Sequence, residues 1–247
     1  MPSAPKATLP QRRLPSGKQR SSQEKDTSTR KQVVELTTLG ATCEQWFTNR
    51  DQTPFEFQRA TWQAMMAGRN GLLHAPTGTG KTLAAWFGAL CRSSALSTHH
   101  KKTGIRIIWI TPLRALATDT ARALEEPLAD LTEMLGSHWQ VGTRTGDTSA
   151  ADRRRLRQNW PDALPTTPES LSILLSLEDS QEIFSDLDTV IVDEWHELLG
   201  TKRGVQTELA LSRLRAIRPG VITCLLYTSP SPRDVEESGF AGWGCKK

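Results

Sequence analysis

The sequence predicts an α/β domain built on a parallel sheet with helices on both faces. Three observations lead there. Short apolar runs recur at Leu72-Leu73-His74, Ile105-Arg106-Ile107-Ile108-Trp109-Ile110 and Thr189-Val190-Ile191-Val192. Stretches of helical periodicity separate them, which requires right-handed crossovers between parallel strands. The 247 residues, 37% of them hydrophobic, suffice for one large core or two small ones.

Taken in order, residues 1–31 mix Pro, Ser, Gln, Lys and Arg with almost no aromatic or branched apolar residues. Such a segment cannot bury enough surface to offset its ordering entropy, so a disordered basic arm is expected. It either attracts phosphates or merely solubilises the chain. Folded structure, expected over 32–223, opens near Val33. A helix is predicted around Ala41–Phe47, a break from Asn49 to Pro54, and a second helix through Ala60–Met66 that ends at Gly68 or Asn70.

Leu72-Leu73-His74 then reads as a strand end, Ala75-Pro76-Thr77-Gly78-Thr79-Gly80 as a loop, and Lys81-Thr82 as the first turn of a helix. A strand, a Gly-rich loop and a helix N-terminus form a phosphate cradle: backbone N–H groups converge on the anion beside the positive end of the helix dipole. Lys81 would reach the β- and γ-phosphates, and the Thr82 hydroxyl would ligate Mg²⁺. Ala75 stands where the strict motif has Gly. Gln58, a short helix upstream, has an amide that can pair with an adenine edge.

His99-His100-Lys101-Lys102 reads as a solvated loop, since no further ligand stands at metal spacing. The strand at Ile105–Ile110 runs into Thr111-Pro112-Leu113-Arg114. A helix over Ala115–Leu135 follows, apolar at Leu116, Ala123, Leu124, Leu128 and Leu131, with Pro127 kinking or splitting it. A strand is predicted at Trp139–Gly142 with Thr145-Gly146-Asp147-Thr148 at its end. A basic helix, Asp152–Trp160, carries Arg153, Arg154, Arg155 and Arg157. Leu164–Ser170 is a short strand and loop, shortened or exposed by Pro165, and leads into a helix at Leu171–Leu175.

The last strand, Thr189–Val192, ends in Asp193-Glu194. Ligands of such sheets bind beyond the carboxyl ends of the strands, which is where both these acids and the Gly-rich loop fall. Asp193 is placed to hold Mg²⁺ and Glu194 to orient or deprotonate an attacking water. A core strand gains nothing from a carboxylate pair at its end, so a chemical role is the stronger reading.

The net charge of +4 resides largely before residue 32, so any polyanion-binding surface on the folded part must be local. No apolar run reaches the roughly 18 residues that span a bilayer and no signal peptide is legible, so no membrane partner and a cytoplasmic location are expected. The four cysteines form no C-x-x-C pair and read as reduced, mostly buried thiols.

Together, Gln58 after its aromatic pair, Ala75–Thr82, Thr111-Pro112-Leu113-Arg114-Ala115-Leu116, Thr166-Thr167-Pro168-Glu169-Ser170 and Asp193-Glu194-Trp195-His196 fall in the order of superfamily 2 DExH-box helicases. The run from Asp193 to Gln206 resembles the large helicase-related (Lhr) family. Trp195 and the following Glu-Leu-Leu-Gly look like its ligase-associated bacterial branch. The resemblance spans about residues 36–223. It implies the first RecA-like P-loop NTPase lobe of an ATP-dependent 3′-to-5′ DNA helicase or translocase acting in DNA repair, with a DNA ligase and a nuclease as possible partners.

The same resemblance implies residue roles. Gln58, Thr77, Gly78, Thr79, Gly80, Lys81 and Thr82 bind the nucleotide. Lys81, Asp193, Glu194 and His196 are catalytic, with His196 coupling nucleotide state to the strand-binding surface; Thr82 and Asp193 hold Mg²⁺. Single-stranded or partly duplex DNA crosses Thr111, Pro112, Arg114, Thr145, Gly146, Thr167, Pro168 and Glu169. These positions are loops and helix starts at one sheet edge, and they lack exposed aromatics, which suits backbone tracking. The arginines of the 152–160 helix either extend that surface or form a solvated face.

The family's Ser-Ala-Thr motif is expected after Gly220-Val221-Ile222-Thr223, but Cys224-Leu225-Leu226-Tyr227-Thr228-Ser229-Pro230-Ser231-Pro232 follows instead. Residues 224–247 therefore read as a tail foreign to the family, from a frameshift, a truncated gene or appended adapter-like sequence. The second lobe and its arginine finger are expected in a longer parent. As an isolated fragment, the chain reads either as a weak ATPase or as a nucleotide- and DNA-binding module without turnover.

Overall fold

The computed structural model describes residues 40–96, 104–135 and 138–228. The basic arm, the His99–Lys102 run and residues 229–247 lie outside the described residues. Helix α1 (residues 40–48) is followed by α2 (Glu56–Met66), β1 (Gly71–His74) and α3 (Lys81–Leu96). Next come β2 (Ile107–Ile110), α4 (Arg114–Glu125), α5 (Leu128–Leu135), α6 (Ala150–Gln158), β3 (Ala163–Thr166), α7 (Pro168–Leu175) and α8 (Ser180–Ile183). The described part closes with β4 (Thr189–Val192), α9 (Trp195–Leu198), α10 (Lys202–Ile217) and β5 (Ile222–Tyr227).

The five strands form one parallel sheet in the order β1-β5-β4-β2-β3. Side-chain alternation divides the core between its faces. Ile107, Trp109 and Ile191 point into a layer with Trp46, Trp62, Trp86 and Phe87, which α1, α2 and α3 supply. Ile108, Ile110, Val190 and Val192 point the other way, against Leu171, Leu174, Leu211 and Leu214 of α7 and α10. A parallel sheet covered on both faces is thus the observed architecture, and its strands are apolar at successive positions because neither face meets water.

Several elements differ from expectation. Trp139–Gly142 does not form a strand; the segment makes only the isolated bridges Val141–Ala163 and Arg144–Thr166 beside β3. Pro165 supplies the reason: its carbonyl accepts from Arg144 N–H at 3.1 Å, but on that side it has no N–H to return. Pro165 itself is buried within β3, neither shortening nor exposing it. Pro127 falls in the break between α4 and α5; α4 turns Ala117, Thr120, Ala121 and Leu124 inward and Ala123 to solvent, while Leu128 and Leu131 of α5 are buried as expected.

Cys224, Leu225, Leu226 and Tyr227 pair with Gly71–His74 of β1 as central strand, so the sheet runs past the expected start of the tail. Cys43, Cys91 and Cys224 are buried thiols outside any disulfide, with the Sγ atoms of Cys43 and Cys91 3.2 Å apart.

Candidate functional site

Beyond β1, the loop Ala75–Gly80 turns through two glycines in the left-handed region, Gly78 at φ 75° and Gly80 at φ 84°. There an L side chain is strained. Lys81 opens α3 and is nearly buried. Its ammonium donates to the carbonyls of Ala75 (2.6 Å) and Pro76 (2.9 Å), so the base of the loop is folded around it. Burial lowers the Lys81 pKa, and the nearby Glu194 and Asp193 charges act against that shift. These couplings place both acids and the lysine in one electrostatic site, as expected for the ends of β1 and β4 in this topology.

Asp193 leaves β4 with Oδ2 accepting from the Trp109 indole (3.2 Å) and Oδ1 from the Glu194 amide (3.0 Å). Burial raises its pKa; the Trp109 bond and Lys81 partly offset the rise. Glu194 has φ 45°, an uncommon and costly conformation for a non-glycine residue, and it starts α9. Its buried Oε2 makes no hydrogen bond and lies 3.4 Å from His196 Nδ1. The other His196 nitrogen is 3.3 Å from Glu197. An under-satisfied buried carboxylate oxygen, two acids and the half-buried Thr82 suit a hard cation that keeps most of its waters and binds through one carboxylate, a hydroxyl and phosphates.

Gln58 is 2% exposed. Its Oε1 accepts from the Phe55 amide (2.8 Å), closing half a capping box at the start of α2, and its Nε2 donates to Gly80 O (3.2 Å). In this structure the amide therefore braces the phosphate loop, leaving one N–H and one lone pair for an adenine edge. Thr79 Oγ1 donates to Pro76 O, while Thr77 and Gly78 are exposed on the outer turn.

The structure brings the other expected positions to the same edge, following β2 and β3. In this structure the threonine hydroxyls bond within their own loops. Thr111 Oγ1 donates to Leu113 O, Thr145 Oγ1 accepts from the Asp147 amide, and Thr167 caps α7 through the Ser170 amide. Pro112 and Pro168 are buried, whereas Arg114, Gly146 and Glu169 face solvent. Arg114 reaches Asp147 at 2.8 Å, and Arg153 of α6 donates to Gly146 O at 3.1 Å. No residue of α6 is buried.

Two contributors escaped sequence reasoning. Trp109 looked like core, and only the register Trp109–Ile191 puts its indole at Asp193. Arg203, given no individual role from sequence, bonds Glu169 and the Pro112 carbonyl. The adjacent Gly204 packs where a Cβ would lie 2.1 Å from Leu198 O.

Comparison with known proteins places this geometry. The family model for DEAD/DEAH box helicases matches residues 55–238. The Lhr helicase/probable uracil glycosylase of Mycolicibacterium smegmatis is 40% identical over 182 residues, covering 71% of this chain and 12% of that protein. The ATP-dependent helicase Lhr-Core of Methanothermobacter thermautotrophicus is 37% identical over 177 residues, covering 69% of this chain and 20% of its own length. The chain thus spans about an eighth to a fifth of the length of these relatives. Among solved structures, the Mycobacterium smegmatis helicase Lhr bound to ssDNA and AMP-PNP superposes with a TM-score of 0.68 at 36% identity, over 78% of this chain and 25% of that one. The DEAD-box helicase Mss116, bound to ssRNA and UDP-BeF, shares the fold at 17% identity and a TM-score of 0.61. The sheet is the RecA-like one of these helicases, and the chain belongs to the DEAD/DEAH box helicase family, within which it is similar to the Lhr helicases of bacteria and archaea.

Proposed function

We propose that this chain is the ATP- and nucleic-acid-binding motor lobe of an ATP-dependent DNA helicase or translocase acting in DNA repair, from the ligase-associated branch of the Lhr helicases. The observation that carries the reading is Lys81 at the head of α3, inside a loop with two positive-φ glycines and within the field of Asp193 and Glu194. In this reading the loop amides and Lys81 bind the β- and γ-phosphates, exchanging the lysine's contacts with Ala75 and Pro76 for phosphate oxygens. Thr82 and Asp193 would hold Mg²⁺, which would supply charge neutralisation on the phosphates. Glu194, held by its strained backbone at the start of α9, orients the attacking water and takes its proton. His196 passes the nucleotide state onward.

DNA lies along the edge made by Pro112–Arg114, Thr145–Gly146 and Thr167–Glu169, where Arg114 and exposed backbone amides meet phosphates without reading bases. The solved ssDNA complex of the M. smegmatis relative supports this partner class. A cytoplasmic site of action and association with a ligase and a nuclease belong to the same reading.

Steady-state Mg²⁺-ATP hydrolysis with and without single-stranded DNA, with Glu194→Gln as the blank, tests the reading. Weak turnover abolished by Glu194→Gln, or nucleotide binding without turnover, agrees with it. Turnover that survives Glu194→Gln contradicts it.

A further inference from the structure

The geometry points to Arg203 as a positioning residue that clasps together the loop after β2 and the start of α7, and so sets the shape of the DNA-binding edge; this rests on the nucleic-acid reading above. Its guanidinium forms a two-pronged bond with Glu169, Nε to Oε1 at 2.5 Å and Nη2 to Oε2 at 3.0 Å, while Nη1 donates to the Pro112 carbonyl. The planar fork of Arg can serve three acceptors at once, which Lys cannot. The Arg203 and Glu169 side chains are 34% and 49% exposed, so the clasp sits at the surface rather than in the core.

Its origin on α10 matters. Thr201 caps that helix through the Gly204 amide and donates to Leu198 O, and Gly204 packs against the Leu198 carbonyl so closely that no Cβ fits. Leu198 ends α9, the short helix that starts at the Glu194 cap and carries His196. Gln206 makes a second tie between α10 and α7, donating to Ser172 Oγ at 2.9 Å. One rigid helix end therefore joins the segment holding Glu194 and His196 to two of the three loops expected along the DNA path.

Glu169 explains itself in this arrangement. A free carboxylate on a phosphate-binding edge would repel the ligand. Burial pushes its pKa up, but the Arg203 and backbone hydrogen bonds outweigh that and hold it below the ordinary glutamate range, so it stays ionised and paired. Three of the five Arg203 N–H donors are taken by Glu169 and Pro112, so its part in the proposal is to set loop position rather than to touch phosphate.

The test uses the full chain, amide hydrogen exchange without DNA, and fluorescence anisotropy with a labelled oligo(dT). In Arg203→Ala the non-proline amides of 111–114 and 168–171 should exchange about tenfold faster, with little change elsewhere. Oligo(dT) affinity should fall about tenfold, with the slope of log K against log salt unchanged, because no phosphate contact is lost. Fluorescent-nucleotide affinity should stay within about twofold. Arg203→Lys, which keeps the charge and loses the fork, should behave nearly as Arg203→Ala. Exchanging the partners, Arg203→Glu with Glu169→Arg, should restore protection at 168–171 but not at 111–114, since a carboxylate cannot donate to Pro112 O.

Unchanged exchange in Arg203→Ala overturns the clasp, as does wild-type affinity despite lost protection. A salt slope reduced by about one would make Arg203 a direct phosphate contact and also overturn it. Failure of the wild type to bind oligo(dT) contradicts the nucleic-acid reading, while the exchange data still decide whether the clasp exists.

Discussion

Gln58 and Gly80 are matched to each other across the phosphate loop. Gln58 Nε2 donates to the Gly80 carbonyl, and a Cβ on Gly80 would fall 2.8 Å from that same nitrogen. Gly80 also has φ 84°, so Gly80→Ala adds about 1–2 kcal/mol of backbone strain to the displacement of Gln58. Nucleotide affinity, measured by fluorescence with a labelled ATP analogue, should drop at least tenfold, whereas Gly78→Ala, with open space at its Cβ, should lose less despite its similar φ.

Asp188 provides a pH signature of folding. It precedes β4, and burial pushes its pKa up to about 6 from the ordinary 3.8, against the opposing effects of Ser93, Thr189, Arg92 and Arg106. A carboxyl with a raised folded-state pKa binds its proton more tightly when folded. It therefore contributes most below pH 4, and that contribution is lost as pH rises from about 4 to 6. Asp188→Asn removes the titration. The stability of the variant relative to wild type, from urea unfolding, should rise by about 2 kcal/mol between pH 4.5 and pH 7. A constant difference across that range would contradict the assignment.

Arg114 should behave oppositely to Arg203 toward salt. It is exposed and pairs with the equally exposed Asp147, a contact it can exchange for a phosphate. Arg114→Ala should weaken oligo(dT) binding and reduce the salt slope by about one, as measured by anisotropy from 50 to 200 mM salt.

Much of this was legible in the sequence, because the informative stretches have one local solution. Ala75–Thr82 reads as a loop opening a helix, and Thr189–Val192 as a buried strand whose two terminal acids gain a chemical reading from that loop. The failures were non-local. Trp139–Gly142 has strand composition, but whether it forms a ladder depends on Pro165, which lacks the N–H the partner needs. Thr111, Thr145 and Thr167 bond within their own turns, a geometry that no sequence pattern shows. Arg203 lies 34 positions from Glu169, so their contact appears only once α7 and α10 pack.

Residues after Thr223 present a different case. β5 lies between β1 and β4, and its end faces the nucleotide site: Tyr227 stacks edge-on to His74 at 5.1 Å and His196 at 5.3 Å. That is where the family resemblance expects Ser-Ala-Thr. Sequencing the source locus across the Thr223 codon should show a native frame that departs from Cys224 onward and encodes that motif. An unbroken frame through Lys247 would make Tyr227 a native neighbour of His196 instead.

The most direct test of the central claim is Mg²⁺-dependent binding of a fluorescent ATP analogue to wild type, Lys81→Ala and Glu194→Gln. The account predicts that Lys81→Ala weakens binding by about a hundredfold, through loss of a charged contact with the phosphates, while Glu194→Gln binds as wild type. Equal affinity in Lys81→Ala and wild type would contradict the assignment of the Ala75–Thr82 loop as the nucleotide site.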